Sequence, residues 1–332
     1  MRYVYAFANG FTLVLIITFA SLYIASFDFM LHYHISPLII GVVFGILASS
    51  LYRNSQHSCE KGVTFSAKKL LRLGIILYGF RVSLDGIMSV GLSGTLISIS
   101  VVVGILVLGT LIGTKVFKLD KELALLVSGG SAICGAAAVL ALESSIKSQP
   151  YKGIIAVGSV VVFGLLSMFL YPLVYAVSEL GLNEIQWGVY VGATLHEVAN
   201  VVGAGSGISP EVEKIAVIIK MIRVLLLIPV LLVIPLLFAS TQSGAKRNLH
   251  IPWFAFGFLG VVLINSVFEL PEWLISSGEI ASTFLLVMAM SALGLQIDFK
   301  KFLDSGGKAF GLAFVLALIL MFGGYGLVYL CI

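Results

Sequence analysis

Two cations three positions apart, Lys220 and Arg223, lie inside an otherwise apolar run that starts near Glu211. If the run is a helix, both share one face, and Lys220 lies ~14 Å along it, near the middle of a bilayer. A charge at that depth costs ~2.5–3.5 kcal/mol, so the pair must have partners. Glu197 is one candidate partner and a bound anion is the other; a static ion network of the three is the plainer arrangement. Upstream, His196 and Asn200 are four apart on one helical face with Glu197 beside His196. His-Glu opens the zinc-protease motif, but the position of the second histidine is held by Asn200, so no metal site or hydrolase is expected. A glutamate next to a histidine suits proton carriage instead. A Glu satisfied by Lys220 or Arg223, with Thr194 as a cap, is the structural alternative. A third constellation, Ser128–Gly135, has three glycines, two serines and a cysteine within eight residues. Gly129-Gly130-Ser131 is expected to break a helix, with Ser131 capping its second half. A helix start inside a membrane protein attracts an anion; close helix packing through small residues is the alternative.

These residues need a membrane scaffold. Of 332 residues 59% are hydrophobic and 11% charged, and mean hydropathy is +1.10. About eleven apolar stretches approach spanning length, giving one all-α polytopic membrane domain over 1–332. The net charge of +4 is ordinary for a chain that keeps Lys and Arg on the cytoplasmic side. Nothing points to nucleic acid. Three cysteines, Cys59, Cys134 and Cys331, supply no disulfide framework. The first apolar run, Phe11–Phe27, lacks a convincing cleavage site and reads as an accessory anchor helix, about 10–27.

The chain then continues through Pro37–Leu51, a basic cytoplasmic loop at 52–72, and helices Leu70–Met88 and Leu96–Val116. The last carries the packing pattern Gly109-x-x-x-Gly113. The broken segment follows, then Ile154–Val177, a second odd segment at Trp187–Gly207, and Glu211–Phe238. Trp253–Phe268, Glu272–Leu295 and Lys308–Cys331 complete the chain. Both odd segments are read as broken or re-entrant helices. Arg81–Asp85 and Glu143–Lys147 read as i, i+4 ion pairs, and Asn265 as interhelical glue. Counting charges places the N-terminus inside and the C-terminus outside the cytoplasmic membrane.

Ile75–Asp85 aligns with Met288–Asp298, and Ser131–Leu140 loosely with Ala193–Val202. Inverted repeats with broken helices are the architecture of secondary transporters. The stretches Leu77–Arg81, Gly129–Ala136, His196–Ala199 and Lys220-x-x-Arg223 together resemble the YeiH-type family, bacterial inner-membrane proteins labelled as sulfate exporters. That resemblance implies kinship with the sodium–proton antiporter and bile-acid symporter superfamily. It also implies two five-helix inverted repeats, a panel and a mobile core, and broken helices crossing at the site.

The expected function is secondary transport of a small anion such as sulfate or an organic sulfonate, driven by an H+ or Na+ gradient. No P-loop occurs, no cofactor is expected, and the chain is not expected to be an enzyme. Expected to bind substrate are Gly129, Gly130, Ser131, Ala132, Ile133, Thr194, His196, Asn200, Lys220 and Arg223. Backbone N–H groups of Ser131–Ile133 and Thr194–His196 would donate to the anion, and Glu197 with His196 would couple the ion. The lipid bilayer is the surrounding partner, and a homodimer is allowed. The alternatives are a passive channel or an intramembrane enzyme built on His196 and Glu197.

Overall fold

The computed structural model describes residues 2–27, 29–30, 36–178, 180–238, 253–297 and 307–332. Among them there is no strand. The helices are α1 (Arg2–Ala25), α2 (Pro37–Asn54), α3 (Gln56–Phe65), α4 (Leu71–Tyr78), α5 (Leu84–Lys115), α6 (Lys121–Ala132), α7 (Ala136–Ile146) and α8 (Pro150–Val177). After these come α9 (Glu184–Thr194), α10 (Val198–Ser206), α11 (Pro210–Leu225), α12 (Leu227–Phe238), α13 (Trp253–Val267), α14 (Glu272–Leu295), α15 (Gly307–Leu318) and α16 (Gly324–Cys331). Seven helical stretches among the described residues are long and apolar enough to cross a membrane. The other four expected segments are the short α13 and three that are broken: α4 into α5, α6/α7 and α9/α10. The protein is thus an all-α polytopic membrane protein.

The residues group into two compact units. The first comprises Met1–Met88, Ser206–Ile208 and Trp253–Asp298. In it, α2 and α14 cross where Gly45 and Gly294 meet: a Cβ on Gly45 would lie 2.8 Å from the Gly294 Cα. The stretch 52–72, expected to be a loop, is helical. The α3 helix buries Cys59, Gly62 and Val63 and packs on α1, then runs through a π-turn at Ser66–Leu70 into α4. The expected helix Leu70–Met88 is interrupted: Gly79–Arg81 form a 3-10 turn and Val82 is extended. Asn265 explains the interruption, because its Nδ2 donates to Phe80 O (3.0 Å) and Val82 O (3.5 Å). Asn265 therefore ties helices together, as expected. Arg81 donates to Thr283 Oγ1 (2.6 Å) and lies over the Tyr78 ring. The side chain of Asp85, its expected partner, lies outside the described residues, as do Lys246, Arg247 and Asp298–Lys301.

The second unit comprises Ser89–Gly205, Ser209–Pro252 and Phe299–Ile332. The Gly109/Gly113 pattern serves packing as expected: a Cβ on Gly113 would stand 2.7 Å from Ala124 Cβ and 2.8 Å from Leu312 Cδ2. The α6 helix starts on Asp120, whose carboxylate accepts from Glu122 N (3.0 Å) and Leu123 N (3.2 Å). The α9 helix starts on a reciprocal box, Asn183 with Gln186. Lys152 Nζ reaches Asp120 Oδ1 and Glu122 Oε2, both at 2.9 Å, fastening the start of α8 to the start of α6. The expected Glu143–Lys147 pair does not form. Lys147 instead ends α7 in the left-handed conformation (φ 54°), and the Glu143 carboxylate lies against Gly153. Asp120→Ala removes both cap bonds and one Lys152 contact, a loss of about 1 kcal/mol. It should lower the melting temperature of the purified protein and leave the site chemistry intact; an unchanged melting curve would show that α6 does not depend on this cap.

Candidate functional site

Both odd segments are broken, but a few residues downstream of where the glycines suggest. The first gap is Ile133–Gly135, between α6 and α7, and the second is Leu195–Glu197, between α9 and α10. Gly129, Gly130 and Ser131 are helical and buried in α6, and Gly192 and Thr194 in α9. These glycines serve contact. A Cβ on Gly130 would meet Val139 Cγ2 at 2.6 Å and Val160 Cγ2 at 3.1 Å, and one on Gly192 would meet Ile219 Cβ at 2.7 Å.

Each gap leaves a helix C-terminus with unpaired carbonyls and a helix N-terminus with unpaired N–H groups. Lys220 and Arg223, both fully buried on α11, serve the C-termini. Lys220 Nζ donates to Ile133 O (2.7 Å) and Leu195 O (2.6 Å). Arg223 Nε donates to Ala132 O (3.1 Å), Nη1 to Gly192 O (3.1 Å) and Leu195 O (2.9 Å), and Nη2 to Ser131 O (3.1 Å) and Ala132 O (2.5 Å). One bond falls on each of the guanidinium's five N–H groups. Two cations thus take the place of two C-caps, where positive charge is favoured. Neither forms an ion pair with Glu197, so the static Lys–Arg–Glu network is not what satisfies them.

The N-terminal sides differ. The N-cap position of α7 is Gly135 (φ 69°, ψ −132°), which offers no side chain. In its place the Glu197 carboxylate reaches over from the second gap and accepts from Ala136 N at 3.2 Å. Ser131, expected as that cap, stands in the last turn of α6 instead. The backbone donors expected at Ser131–Ile133 and Thr194–His196 are partly committed: Ile133 N donates to Gly129 O (3.2 Å) and Leu195 N to Val191 O (3.1 Å). The available helix starts are those at Ala136 and Val198. Thr194 is also engaged, donating to Tyr190 O (2.6 Å) and accepting from Tyr171 OH (2.8 Å).

Three side chains around the gaps have no partner. Ser131 Oγ, both ring nitrogens of His196, and both Nδ2 and Oδ1 of Asn200 are buried without a hydrogen bond, and each residue is at most 1% exposed. Buried polar atoms are nearly always paired, and each orphan costs about 1–3 kcal/mol. Several such orphans lie together within a turn of the two helix breaks. Around the same region Glu197 and Ala136 are partly exposed and Ala137 is exposed.

Two residues that the sequence did not single out join the site. Gly135 lies so close to Glu197 that a Cβ would stand 2.8 Å from its Oε1. Gly164, on α8, leaves room for Asn200 and His196, since a Cβ there would stand 2.8 Å from Asn200 Nδ2 and 3.2 Å from His196 Cβ. Gly135 was visible as the third glycine of its motif; Gly164, one of three glycines spread along an apolar helix, carried no signal.

A family model described as Conserved hypothetical protein 698 matches residues 9–313. The chain is 49% identical over 313 residues to a UPF0324 membrane protein of Helicobacter hepaticus, covering 89% of this chain and 90% of that one. A UPF0324 membrane protein of Wolinella succinogenes is 47% identical over 322 residues, covering 97% of each, and one of Bacteroides thetaiotaomicron is 43% identical over 327, covering 96% of this chain and 97% of the other. No solved structure matches. The motif resemblance and these matches agree, and the chain belongs to the Conserved hypothetical protein 698 family, the YeiH-like membrane proteins.

Proposed function

We propose that the protein is a secondary transporter of a small oxyanion, sulfate or an organic sulfonate, driven by an ion gradient across the cytoplasmic membrane. The observation that carries this reading is the pair of broken helices. Their negative ends are neutralised by Lys220 and Arg223, so the positive starts of α7 and α10 are left facing a single carboxylate, that of Glu197, which holds the α7 start. Ser131, His196 and Asn200 supply uncommitted hydrogen-bonding groups beside them. The cations act on the anion at a distance, through the helices they cap, and the neutral side chains make the contacts. Broken helices at mid-span with irregular backbone enclosed by protein are how membrane transporters build such sites. Chemistry on the substrate is not part of this reading. In this reading the N-terminus is inside and the C-terminus outside, an orientation supported by the basic segments under the positive-inside rule.

The test is flux of labelled sulfate and of a labelled organic sulfonate in proteoliposomes under imposed proton and sodium gradients. Gradient-dependent accumulation supports the proposal. Flux indifferent to collapsing both gradients would make the protein a channel, and a chemically altered product would make it an enzyme. Gly164→Ala provides a finer check. Its methyl group would press on the Asn200 amide, and losing about one hydrogen bond should raise KM about 2- to 10-fold with kcat nearly kept. An unchanged KM would remove Asn200 from the substrate contacts.

A further inference from the structure

In this structure the start of α7 is occupied by the protein's own carboxylate. Glu197 Oε1 accepts from Ala136 N at 3.2 Å, at a helix start with no other cap. The residue across the gap is glycine in a conformation that side chains avoid, and its missing Cβ is what admits Glu197. The Glu197 carboxylate accepts no other hydrogen bond and forms no ion pair with Lys220 or Arg223, whose bonds go to backbone carbonyls. Its flanking residues His196 and Asn200, one position before and three after, are the buried groups without partners. A carboxylate held by a single N–H, beside several vacant donors and acceptors, is an exchangeable occupant rather than a fixed strut.

We propose that Glu197 is a tethered stand-in for the transported oxyanion. The carboxylate holds the α7 seat when no substrate is present. The substrate takes the seat, with Ser131, His196 and Asn200 as further contacts, when Glu197 accepts a proton and withdraws. The step is Glu197–COO⁻ + H⁺ + anion giving Glu197–COOH with the anion bound; no covalent bond of the substrate changes. One proton therefore enters with each anion, which makes the coupling ion H+ and the mode co-transport. This inference rests on the anion-transport reading and adds its coupling rule. The ionisable groups around Glu197 are Lys220 and Arg223 of α11, Cys134 of the first gap and His196 beside it. His196 is the only one of these whose ordinary range overlaps the test pH, so it needs its own control.

The experiment uses the full-length protein in lipid nanodiscs, with sodium sulfate and sodium ethanesulfonate as probes and sodium chloride at matched ionic strength as reference. Binding is read as the shift in melting temperature between pH 5.5 and 8. Proton uptake on adding anion is read with an indicator dye in weak buffer. For the wild type, apparent Kd should rise by up to about tenfold per pH unit above the Glu197 ionisation, with one proton taken up per anion bound. Glu197→Gln should bind with an affinity independent of pH and without proton uptake, whereas His196→Gln should keep the pH dependence. Anion binding by the wild type without proton uptake would overturn the inference and leave the anion reading standing, and that measurement requires no variant to fold. Unaltered pH dependence in Glu197→Gln would do the same. If neither anion shifts the melting temperature of wild type or Glu197→Gln at any pH, the anion reading falls and takes the inference with it.

Discussion

Arg223→Leu should fail to yield a monodisperse protein, and Arg223→Lys should fold but melt well below the wild type. The guanidinium holds the carbonyls of Ser131, Ala132, Gly192 and Leu195, which belong to two helices that end in the protein interior. Leucine would leave these carbonyls bare except Leu195 O, which Lys220 also reaches. At about 1–3 kcal/mol for each buried orphan, the loss approaches the roughly 5–15 kcal/mol that keeps a typical domain folded. Lysine has three donors on one point and cannot span both helix ends as the planar fork does. Lys220→Met should be milder, because it strands only Ile133 O while Leu195 O keeps its bond from Arg223. The measurements are size-exclusion profile, melting temperature and sulfate flux at matched protein content. An Arg223→Lys protein that melts like wild type yet carries no flux would mean that the guanidinium touches substrate, contrary to its full set of carbonyl bonds.

The membrane class was legible in the sequence because an apolar run is a local property. The existence of two breaks was legible for a related reason: glycine and buried polar residues are costly in a spanning helix. Even the loose alignment of Ser131–Leu140 with Ala193–Val202 was informative, since it superposes Ile133–Gly135 on Leu195–Glu197, the two observed gaps. The positions of the gaps were not legible. Gly129, Gly130 and Gly192 draw attention as breakers but are used for close contact. Where a helix stops depends on what satisfies its last carbonyls, here Lys220 and Arg223, far along the chain. The interruption at Gly79–Val82 is held by Asn265, and Ser266 Oγ accepts from Leu84 N at 2.9 Å; such partners cannot be assigned without the fold. The basic stretch 52–72 reads as a loop from its charge, yet Cys59, Gly62 and Val63 lie on one face of α3, which packs on α1. Lys220 and Arg223 were recognised as needing partners, but sequence offered acidic residues and anions as candidates. Backbone carbonyls become available only when helices are broken beside them.

Gly135→Ala should abolish transport, and the fold supplies its own control. Gly135 combines φ 69° and ψ −132°, a region costing a side-chain-bearing residue about 1–3 kcal/mol, with close contact to Glu197. A methyl group would stand 2.8 Å from the carboxylate oxygen and 3.1 Å from its carbon. Glu197 must then leave the Ala136 N–H, and the start of α7 is distorted at the seat proposed for the anion. Gly91 has a similar φ of 63° but nothing within 4 Å of a built Cβ, so Gly91→Ala carries backbone strain without the collision. Both variants should melt below the wild type, while flux should be lost only in Gly135→Ala. The collision can also be relieved from the other side. Adding Glu197→Ala to Gly135→Ala removes the Cγ, carboxyl carbon and oxygen that the methyl group meets, so the double variant should melt above Gly135→Ala. The cycle of wild type, both single variants and the double variant isolates the contact from the strain each carries alone. A double variant that melts at the sum of the two single losses would mean that Gly135 and Glu197 are not coupled, and the α7 start would then be set by backbone conformation alone.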